Sequence, residues 1–143
     1  MKQEPYIPVS AVMTRTVHTI DSMATVRQAM EKMAAAKVGS LVVDRRDDKD
    51  EYGMIVVTDI AREVVARNLS FDRVQVYEAM SKPVVTLDPA MDLRYAIRLL
   101  IRQGLGRALV QGGDRQMLGV VTLRDMVLRY AAAQDRNGSG GAA

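Results

Sequence analysis

The sequence predicts a mixed α/β (α+β) protein in which one β-α-β-β-α unit occurs twice in tandem. Three observations support this: an internal repeat, short β-branched runs that alternate with amphipathic segments, and an ordinary globular composition. The chain has 143 residues, of which 48% are hydrophobic and 26% are charged, as in soluble globular domains. A half-size unit cannot cover a small sheet alone, so we expect the two copies to pack sheet to sheet about a pseudo-twofold axis.

The repeat becomes visible when the chain is aligned with itself. Residues 11–43 align without a gap on residues 78–110, and residues 53–66 align on residues 119–132 after a shift of one position. The residues that are identical in both copies include the pairs Met13 and Met80, Asp21 and Asp88, Arg27 and Arg94, Gly39 and Gly106, Gly53 and Gly119, and Asp59 and Asp125.

The first half of the unit is a strand followed by an amphipathic helix. Residues 17–20 form a short β-branched run, which is typical of a strand. Residues 25–37 have apolar side chains at the spacing of one helix face. Gly39 is expected to end this helix.

The second half of the unit contains two strands and a helix. Residues 41–43 are a continuous apolar run, as in a strand that is covered on both faces. All residues from 44 to 51 are charged, which predicts a solvated hairpin loop. A strand at 53–57 and a helix at 58–68 follow.

The second copy repeats this order. It has predicted strands at 84–87, 107–111 and 117–121 and predicted helices at 92–103 and 125–133. The chain then continues into Asn-Gly-Ser-Gly-Gly, a composition typical of flexible segments. The predicted organisation is a first repeat at 8–68, a linker at 69–76, a second repeat at 77–133 and a flexible tail at 134–143.

The composition excludes several chemistries. The chain has no cysteine and a single histidine, His18, which excludes disulfides, thiolate zinc sites, iron–sulfur clusters and His-rich metal sites. Because no nucleophile–base constellation is present, we expect no enzyme, no catalytic residue and no metal site. No apolar run approaches ~18 residues and no signal peptide is recognisable, so we expect a cytoplasmic protein without a membrane partner.

The charge permits an anionic ligand but does not indicate nucleic acid. There are 20 basic and 17 acidic residues, a net charge of +3. Nucleic-acid binders concentrate Lys and Arg on one face, whereas here the basic residues are mixed with acids along the chain. Aromatic residues make up only 4%, which leaves few platforms for stacked bases.

A Thr-x-x-Asp motif stands where the last strand passes into the closing helix. Thr122 and Asp125 would share the first helical turn and so lie at one end of the helix. A hydroxyl and a carboxylate there can accept hydrogen bonds from a vicinal diol such as a ribose. The helix N-terminus favours a phosphate, and Arg124 adds a positive charge. The alternative is a capping box that serves only the helix.

The first copy helps to separate these interpretations. Val56 and Asp59 occupy the aligned positions, so the acid recurs whereas the threonine does not. Thr58 is the expected N-cap of that helix. If capping were the only role of the motif, it would not explain why an aspartate, Asp59, recurs at the position aligned with Asp125. The recurrence therefore favours a ligand role.

At this point the residues resemble a known family. The unit order, the turn from Gly119 to Asp125, and the segments Val12-Met13-Thr14 and Ala79-Met80-Ser81 are similar to the cystathionine-β-synthase (CBS) domain. Over residues 8–133 the chain looks like one CBS pair, also called a Bateman module. The resemblance implies a regulatory module that binds AMP, ADP, ATP or S-adenosylmethionine in clefts between the repeats.

The resemblance also implies two composite sites, each joining the turn after the last strand of one repeat to the first strands of the other. One site would contain Thr122, Arg124, Asp125, Val17, His18, Gly39 and Ser40. The other would contain Thr58, Asp59, Val84, Val85, Gly106 and Arg107. The aspartates would hold ribose hydroxyls, and Arg107 or Arg124 would meet phosphate. Val56 stands where the family often has Ser or Thr, and His18 either lines its site or packs on a strand surface.

Two functions follow from this reasoning. The first is a non-catalytic regulatory module that binds an adenine nucleotide or S-adenosylmethionine and signals in trans to an unknown effector protein. The alternative is a dimerisation or interaction scaffold with vacant clefts. The resemblance also implies a homodimer with helices in the interface. The apolar side chains of the closing helices fit such a surface, although they could equally form the intramolecular core: Ile60, Val64, Val65, Met126, Val127 and Leu128. The preferred nucleotide is not set by the sequence.

Overall fold

The computed structural model describes residues 5–142, with side chains described for residues 5–135. The chain forms two compact units. The repeat-1 unit comprises Val17–Val84, and the repeat-2 unit comprises the described residues up to Thr16 together with those from Val85 onward. Within the described chain there are two three-stranded sheets and five α-helices, which confirms the predicted α/β class.

The repeat-1 unit follows the predicted β-α-β-β-α order. Its elements are β1 (Thr19–Ile20), α1 (Val26–Ala36), β2 (Ser40–Val43), β3 (Gly53–Val56), α2 (Val57–Ile60) with a π-helical continuation (Ala61–Val65), and α3 (Val76–Ala79). In its sheet, β1 pairs in parallel with β2, and β2 pairs antiparallel with β3. The predicted helix at 58–68 thus begins one residue earlier and widens where the Ala66 N–H donates to the Ala61 carbonyl.

The repeat-2 unit has the same topology. Its elements are a 3₁₀ turn (Val9–Ala11), β4 (Thr86–Leu87), α4 (Leu93–Gln103), β5 (Arg107–Gln111), β6 (Met117–Thr122) and α5 (Leu123–Ala142). Strand β4 is parallel to β5, and β5 is antiparallel to β6. Both central strands are buried, as their apolar runs predict.

Each unit is completed by the segment that precedes the other repeat. In the repeat-2 unit, the Leu93 N–H donates to the Ile7 carbonyl at 2.9 Å, and Thr14 forms an isolated bridge with Val120. In the repeat-1 unit, the Val26 N–H donates to the Val74 carbonyl at 2.8 Å. These contacts recur at aligned positions, so the two segments have the same role.

The described residues up to Thr16 and the residues 69–84, here called the crossing segments, change the meaning of the predicted domain boundaries. The residue ranges 8–68 and 77–133 describe the sequence repeat, whereas the compact units divide the chain after Thr16 and after Val84. The predicted linker at 69–76 contributes Val74 and Val76 to the repeat-1 core, with relative exposures of 8% and 0%. Ile7 and Val9 join the repeat-2 core in the same way. The compact units differ from the sequence repeats because each core includes apolar side chains from outside its own repeat, whose burial is favourable.

The two long helices end in the same way with different residues. Lys37 caps α1 with φ 57°, and Gly104 caps α4 with φ 68°. Both are left-handed conformations, which suit glycine and strain lysine. The expectation that Gly39 ends the first helix is therefore wrong, because the left-handed residue that ends it is Lys37, two residues earlier.

The closing helix is longer than the sequence pattern predicts. Helix α5 extends to Ala142, beyond the end predicted at residue 133. That the segment 134–143 is flexible stays a prediction, and residue 143 lies outside the described residues. The alanine run at 131–133 has high helix propensity, which favours continuation of the helix beyond its predicted end. None of the helices in the described part of the chain is long and apolar enough to cross a membrane.

Candidate functional site

The turn from β6 into α5 lies at one end of the repeat-2 sheet. Arg107 is the register partner of Thr122, and the Leu123 N–H donates to the Gly106 carbonyl at 2.8 Å. Val85 lies beside this sheet end, since its carbonyl accepts the Leu109 N–H at 3.0 Å. The sheet therefore brings Gly106 and Arg107 next to the Thr-x-x-Asp turn of their own repeat, whereas they are predicted to belong to the site of Thr58 and Asp59.

The Thr122 hydroxyl caps the first turn of α5. Its oxygen accepts the Asp125 N–H at 3.0 Å, which is the first half of a capping box. The hydroxyl proton remains available as a donor to a ligand oxygen. Capping and ligand binding are thus compatible at this residue.

The Asp125 carboxylate is accessible. Its side chain is 45% exposed, and its nearest cation is Arg124, with 4.0 Å between Nη1 and Oδ1. Such an exposed, long-range pair contributes little to stability. Among the described residues, no other side chain forms an ion pair with it. A carboxylate with this freedom beside a helix N-terminus can accept two hydrogen bonds from a diol.

The aligned turn of the repeat-1 unit is built differently. The Val57 N–H donates to the Gly39 carbonyl at 3.1 Å, and Ser40 is the register partner of Val56, so these residues also meet at a sheet end. Val56 is the N-cap of α2, and the expectation that Thr58 caps this helix is wrong. Thr58 is instead exposed within the first turn.

The Asp59 carboxylate is committed to its own helix. One oxygen accepts the Val56 N–H at 3.0 Å, and the other accepts Arg62 Nη2 at 2.8 Å. The residue is only 5% exposed. Capping therefore explains the register of Asp59, contrary to the inference from its recurrence, because the carboxylate supplies the half of the capping box that Val56 cannot.

The remaining predicted site residues lie at opposite ends of the repeat-1 sheet. His18 is on the side of Ser40, whereas Val84 is beside the start of β3, away from the Val56 turn. The carbonyl of His18 accepts the Val42 N–H at 2.9 Å, and the Val84 N–H donates to the Tyr52 carbonyl at 3.0 Å. His18 and its neighbour Val17 are half-buried. Within the repeat-1 unit the structure thus brings together Gly39, Ser40, Thr58 and Asp59. The combination of residues from both units in composite sites stays a prediction.

Sequence reasoning missed Arg62, the ion-pair partner of Asp59. Its position three residues after Asp59 is a spacing that places two side chains on one helix face. That signal was present in the sequence. The spacing indicates that Asp59 is less accessible to a ligand than Asp125, although both aligned residues are aspartates.

The sequence predicts that the charged loop at 44–51 is solvated, but one of its side chains is mostly covered. Asp50 has a side chain that is 9% exposed, and it pairs with Lys82 Nζ at 2.7 Å and with Arg46 Nε at 3.1 Å. The hydrogen bond from Lys82, together with those from Arg46, holds the pKa of Asp50 well below its usual range. Within the described residues no group of three or more His, Cys, Asp or Glu side chains could hold a metal ion.

Comparisons with known proteins agree on the family. The family model described as "CBS domain" matches residues 9–66 and 76–132. A hexameric CBS-CP12 protein from bloom-forming cyanobacteria is 32% identical in sequence. Its structure superposes with a TM-score of 0.81 over 85% of this chain and 67% of that chain.

Two further proteins are similar over most of this chain. A CBS domain protein from Pyrobaculum aerophilum complexed with AMP is 22% identical, with a TM-score of 0.76 over 88% of this chain and 99% of that chain. An uncharacterized protein of Methanopyrus kandleri is 29% identical over 122 residues, which are 85% of this chain and 61% of that protein. The chain spans less than two thirds of the length of the curated relatives it matches.

Proposed function

The chain belongs to the CBS domain family, and on that premise we propose that it binds an adenine nucleotide (AMP, ADP or ATP) or S-adenosylmethionine and relays the binding to an effector protein. A CBS domain pair is a regulatory module. The finer statement, a non-catalytic sensor that acts on its effector in trans, is the proposal. The AMP bound to the Pyrobaculum aerophilum protein supports the choice of ligand class.

The observation that carries the proposal is the accessible carboxylate of Asp125 at the first turn of α5. Its oxygens accept the ribose hydroxyls, while the Thr122 hydroxyl donates its proton to a ligand oxygen. Arg124, whose side chain is 82% exposed, is long enough to follow a phosphate as it binds. The peptide N–H groups at the start of α5 add favourable partial charge for the same anion.

The proposed contacts are unequal in the two repeats. Asp59 is 5% exposed and already accepts hydrogen bonds from the Val56 N–H and from Arg62, whereas Asp125 has only the long contact with Arg124. A carboxylate as buried as that of Asp59 loses stability when it is left without its hydrogen-bond partners. We therefore assign the tighter site to the Asp125 turn, with Gly106 and Arg107 beside it. Val17, His18, Gly39, Ser40, Thr58, Val84 and Val85 remain predicted contributors.

Isothermal titration with AMP, ADP, ATP and S-adenosylmethionine tests the proposal. The purified protein must first be shown to be free of copurified nucleotide. At least one ligand is expected to bind, and Asp125→Asn is expected to weaken that binding about tenfold or more, because a charge-assisted hydrogen bond contributes ~1.5–3 kcal/mol. Asp135→Asn, an exposed aspartate on the same helix, is the matched control. The absence of heat with all four ligands contradicts the proposal.

A dimerisation scaffold is the second candidate. Val65, Val127 and Leu128 of the closing helices are 57%, 46% and 53% exposed, and the hexameric CBS-CP12 protein supports self-association in this family. Ile60, Val64 and Met126 are buried in the cores of their own units, so their predicted place in a dimer interface is wrong. Light scattering that gives a dimer mass for the wild type and a monomer mass for Val127→Asp would favour this function.

A further inference from the structure

The two repeats differ at the residue three positions after the aspartate of each turn. In the repeat-1 unit this residue is Arg62, which follows Asp59, whereas the aligned residue after Asp125 is Leu128. Side chains three residues apart are neighbours on the surface of a helix. The residue at this position can thus reach the carboxylate of its own turn, and it is a cation in the first repeat and an apolar residue in the second.

Arg62 binds the oxygen of Asp59 that the helix cap does not use. The Val56 N–H donates to Oδ2 at 3.0 Å, and Arg62 Nη2 donates to Oδ1 at 2.8 Å. The Asp59 side chain is 7% exposed, and among the side chains that the structure describes Arg62 is the one cation that pairs with it. Each carboxylate oxygen therefore already accepts a hydrogen bond from its own turn.

A row of ion pairs supports Arg62 from its other side. Arg62 Nε lies 3.3 Å from Glu63 Oε1, and Arg67 Nη1 lies 3.4 Å from Glu63 Oε2. Isolated ion pairs at the surface contribute little, but charges that form a network contribute more. The guanidinium of Arg62 is therefore held between two carboxylates, one of which is the buried Asp59.

The backbone around Arg62 departs from a regular α-helix. Ala61–Val65 forms a π-helical turn, in which the Ala66 N–H donates to the Ala61 carbonyl at 2.8 Å. In the repeat-2 unit, α5 is α-helical from Leu123 onward. Single π-helical turns within α-helices are rare and frequently occur at functional sites. This irregularity begins at the residue before Arg62, so it coincides with the cation that distinguishes the two turns.

A ribose hydroxyl and Arg62 compete for the same oxygen of Asp59. The hydroxyl is a neutral donor, whereas hydrogen bonds between ionised partners are shorter and stronger. Displacement would also leave the guanidinium without its buried partner. Nucleotide binding at the Asp59 turn must therefore overcome the contact with Arg62. At the Asp125 turn the corresponding cation contact, with Arg124, is 4.0 Å long.

We propose that Arg62 is an autoinhibitory residue that closes the Asp59 turn to nucleotide, and that the residue three positions after each aspartate decides which turn binds. The wild-type chain accordingly binds one nucleotide, at the Asp125 turn, and keeps a latent second site at the Asp59 turn. This assignment rests on the proposed function, because it concerns the same class of ligand. Replacement of Arg62 opens the latent site, and an arginine at position 128 closes the other.

Arg62→Leu gives the first repeat the residue of the second. The variant and the wild type are titrated with AMP, ADP, ATP and S-adenosylmethionine by calorimetry and by amide chemical shifts. At the concentration that saturates residues 122–125, the amide signals of residues 56–60 are expected to stay in place in the wild type and to move in Arg62→Leu. The stoichiometry is expected to rise from one to two per chain. Arg67→Leu is the matched control, since it removes an arginine of similar exposure from the same ion-pair network, and it should behave as the wild type.

Three results of this titration overturn the proposal. The first is a stoichiometry of one in a folded Arg62→Leu protein, with residues 56–60 unmoved. The second is a smaller response of residues 56–60 in Arg62→Leu than in the wild type, which would mean that Arg62 binds the ligand itself. The third is an equal gain in Arg67→Leu, which would be a general effect of charge. Urea unfolding checks that each variant is folded.

Leu128→Arg makes the reciprocal change and does not depend on the folding of Arg62→Leu. Leu128 is 53% exposed, so an arginine there can extend to Asp125. We expect it to weaken nucleotide binding at the Asp125 turn at least about tenfold. Leu128→Gln removes the same apolar surface without adding a cation, and it should keep the wild-type affinity. Equal losses in these two variants, or no loss with Leu128→Arg, overturn the proposal.

The proposed function and the role of Arg62 can fail separately. Wild-type binding that depends on Asp125, together with a single site in Arg62→Leu, keeps the nucleotide sensor and overturns the role of Arg62. Binding by Arg62→Leu alone, lost again when Asp59→Asn is added, refutes nucleotide binding by the wild type and supports the role of Arg62. Silent titrations of both proteins with all four ligands overturn both proposals.

Discussion

The Asp59 carboxylate accepts the backbone N–H of Val56 at 3.0 Å. At the aligned position of the other repeat, the bond runs in the opposite direction, from the Asp125 N–H to the Thr122 hydroxyl, also at 3.0 Å. Each turn thus contains one half of a capping box. Because the halves differ, one aspartate is used by the fold and the other is left accessible, and this asymmetry makes the two motifs separable by experiment.

Removal of the two carboxylates should have different effects on stability. We expect Asp59→Ala to lower the free energy of unfolding by about 1–2 kcal/mol, because it removes a helix cap and a buried partner of Arg62. Asp125→Ala, at an accessible side chain, should lower it by less than about 0.5 kcal/mol. Urea unfolding of both variants beside the wild type measures the difference. Equal losses would contradict the assigned roles.

The left-handed helix ends offer a stabilising substitution. Lys37 has φ 57° where the second copy has Gly104, so Lys37→Gly should raise the free energy of unfolding by about 0.5–1 kcal/mol. Ala35→Gly, inside the same helix, is the control and should lower it by about 1 kcal/mol. Thermal unfolding of the two variants gives the signs directly. A loss of stability with Lys37→Gly would show that the lysine makes a compensating contact.

Glycines beside the crossing segments should tolerate a methyl group to different degrees. A Cβ on Gly119 would lie 2.6 Å from the Thr14 carbonyl oxygen, whereas on Gly53 the nearest atom, Met80 Sδ, would be 3.0 Å away. A Cβ on Gly113 meets nothing within 4 Å.

We therefore expect Gly119→Ala to lower the free energy of unfolding by about 1–3 kcal/mol, Gly53→Ala by less, and Gly113→Ala by almost nothing. Chemical denaturation ranks the three variants. A Gly119→Ala protein as stable as Gly113→Ala would mean that residues 13–14 do not pack against β6.

The Asp50 ion pairs predict a dependence of stability on pH. Hydrogen bonds from Lys82 and Arg46 hold the folded-state pKa of Asp50 below that of the unfolded chain. Since a lowered pKa favours the folded state only while the group is ionised, the contribution is complete above about pH 4 and is lost as the pH falls further.

Asp50→Asn should therefore lower the melting temperature at pH 7, and the difference from the wild type should shrink below about pH 4. Asp48→Asn, in the exposed part of the same loop, should change little at either pH. Melting curves across this range test the sign. A difference that grows on acidification would place the stabilising charge elsewhere.

Local patterns predicted most of the architecture. The apolar spacing in α1 and α4 and the β-branched runs are properties of neighbouring residues, so strands, helices and the Thr122 turn could be read from the chain. The Asp59–Arg62 pair was also local, at a helical spacing, and could have been found in the same way.

The features that the sequence did not predict depend on distant residues. Ile7 and Val9 enter the core of the second repeat although they precede the first, and Asp50 pairs with Lys82, which comes after α3. A residue's own neighbours contain no signal for such contacts, since their free energy arises from tertiary packing.

The central claim is that the Asp125 turn binds an adenine nucleotide, and amide chemical shifts during a nucleotide titration test it most directly. With AMP, ADP, ATP or S-adenosylmethionine, we predict that the amide signals of Gly106, Arg107 and residues 122–125 move together and saturate. Those of the Asp50 loop should stay in place. The shifts should be lost in Asp125→Asn and kept in Asp135→Asn. Saturable shifts that avoid the Asp125 turn, or no shifts with any of the four ligands, would contradict the account.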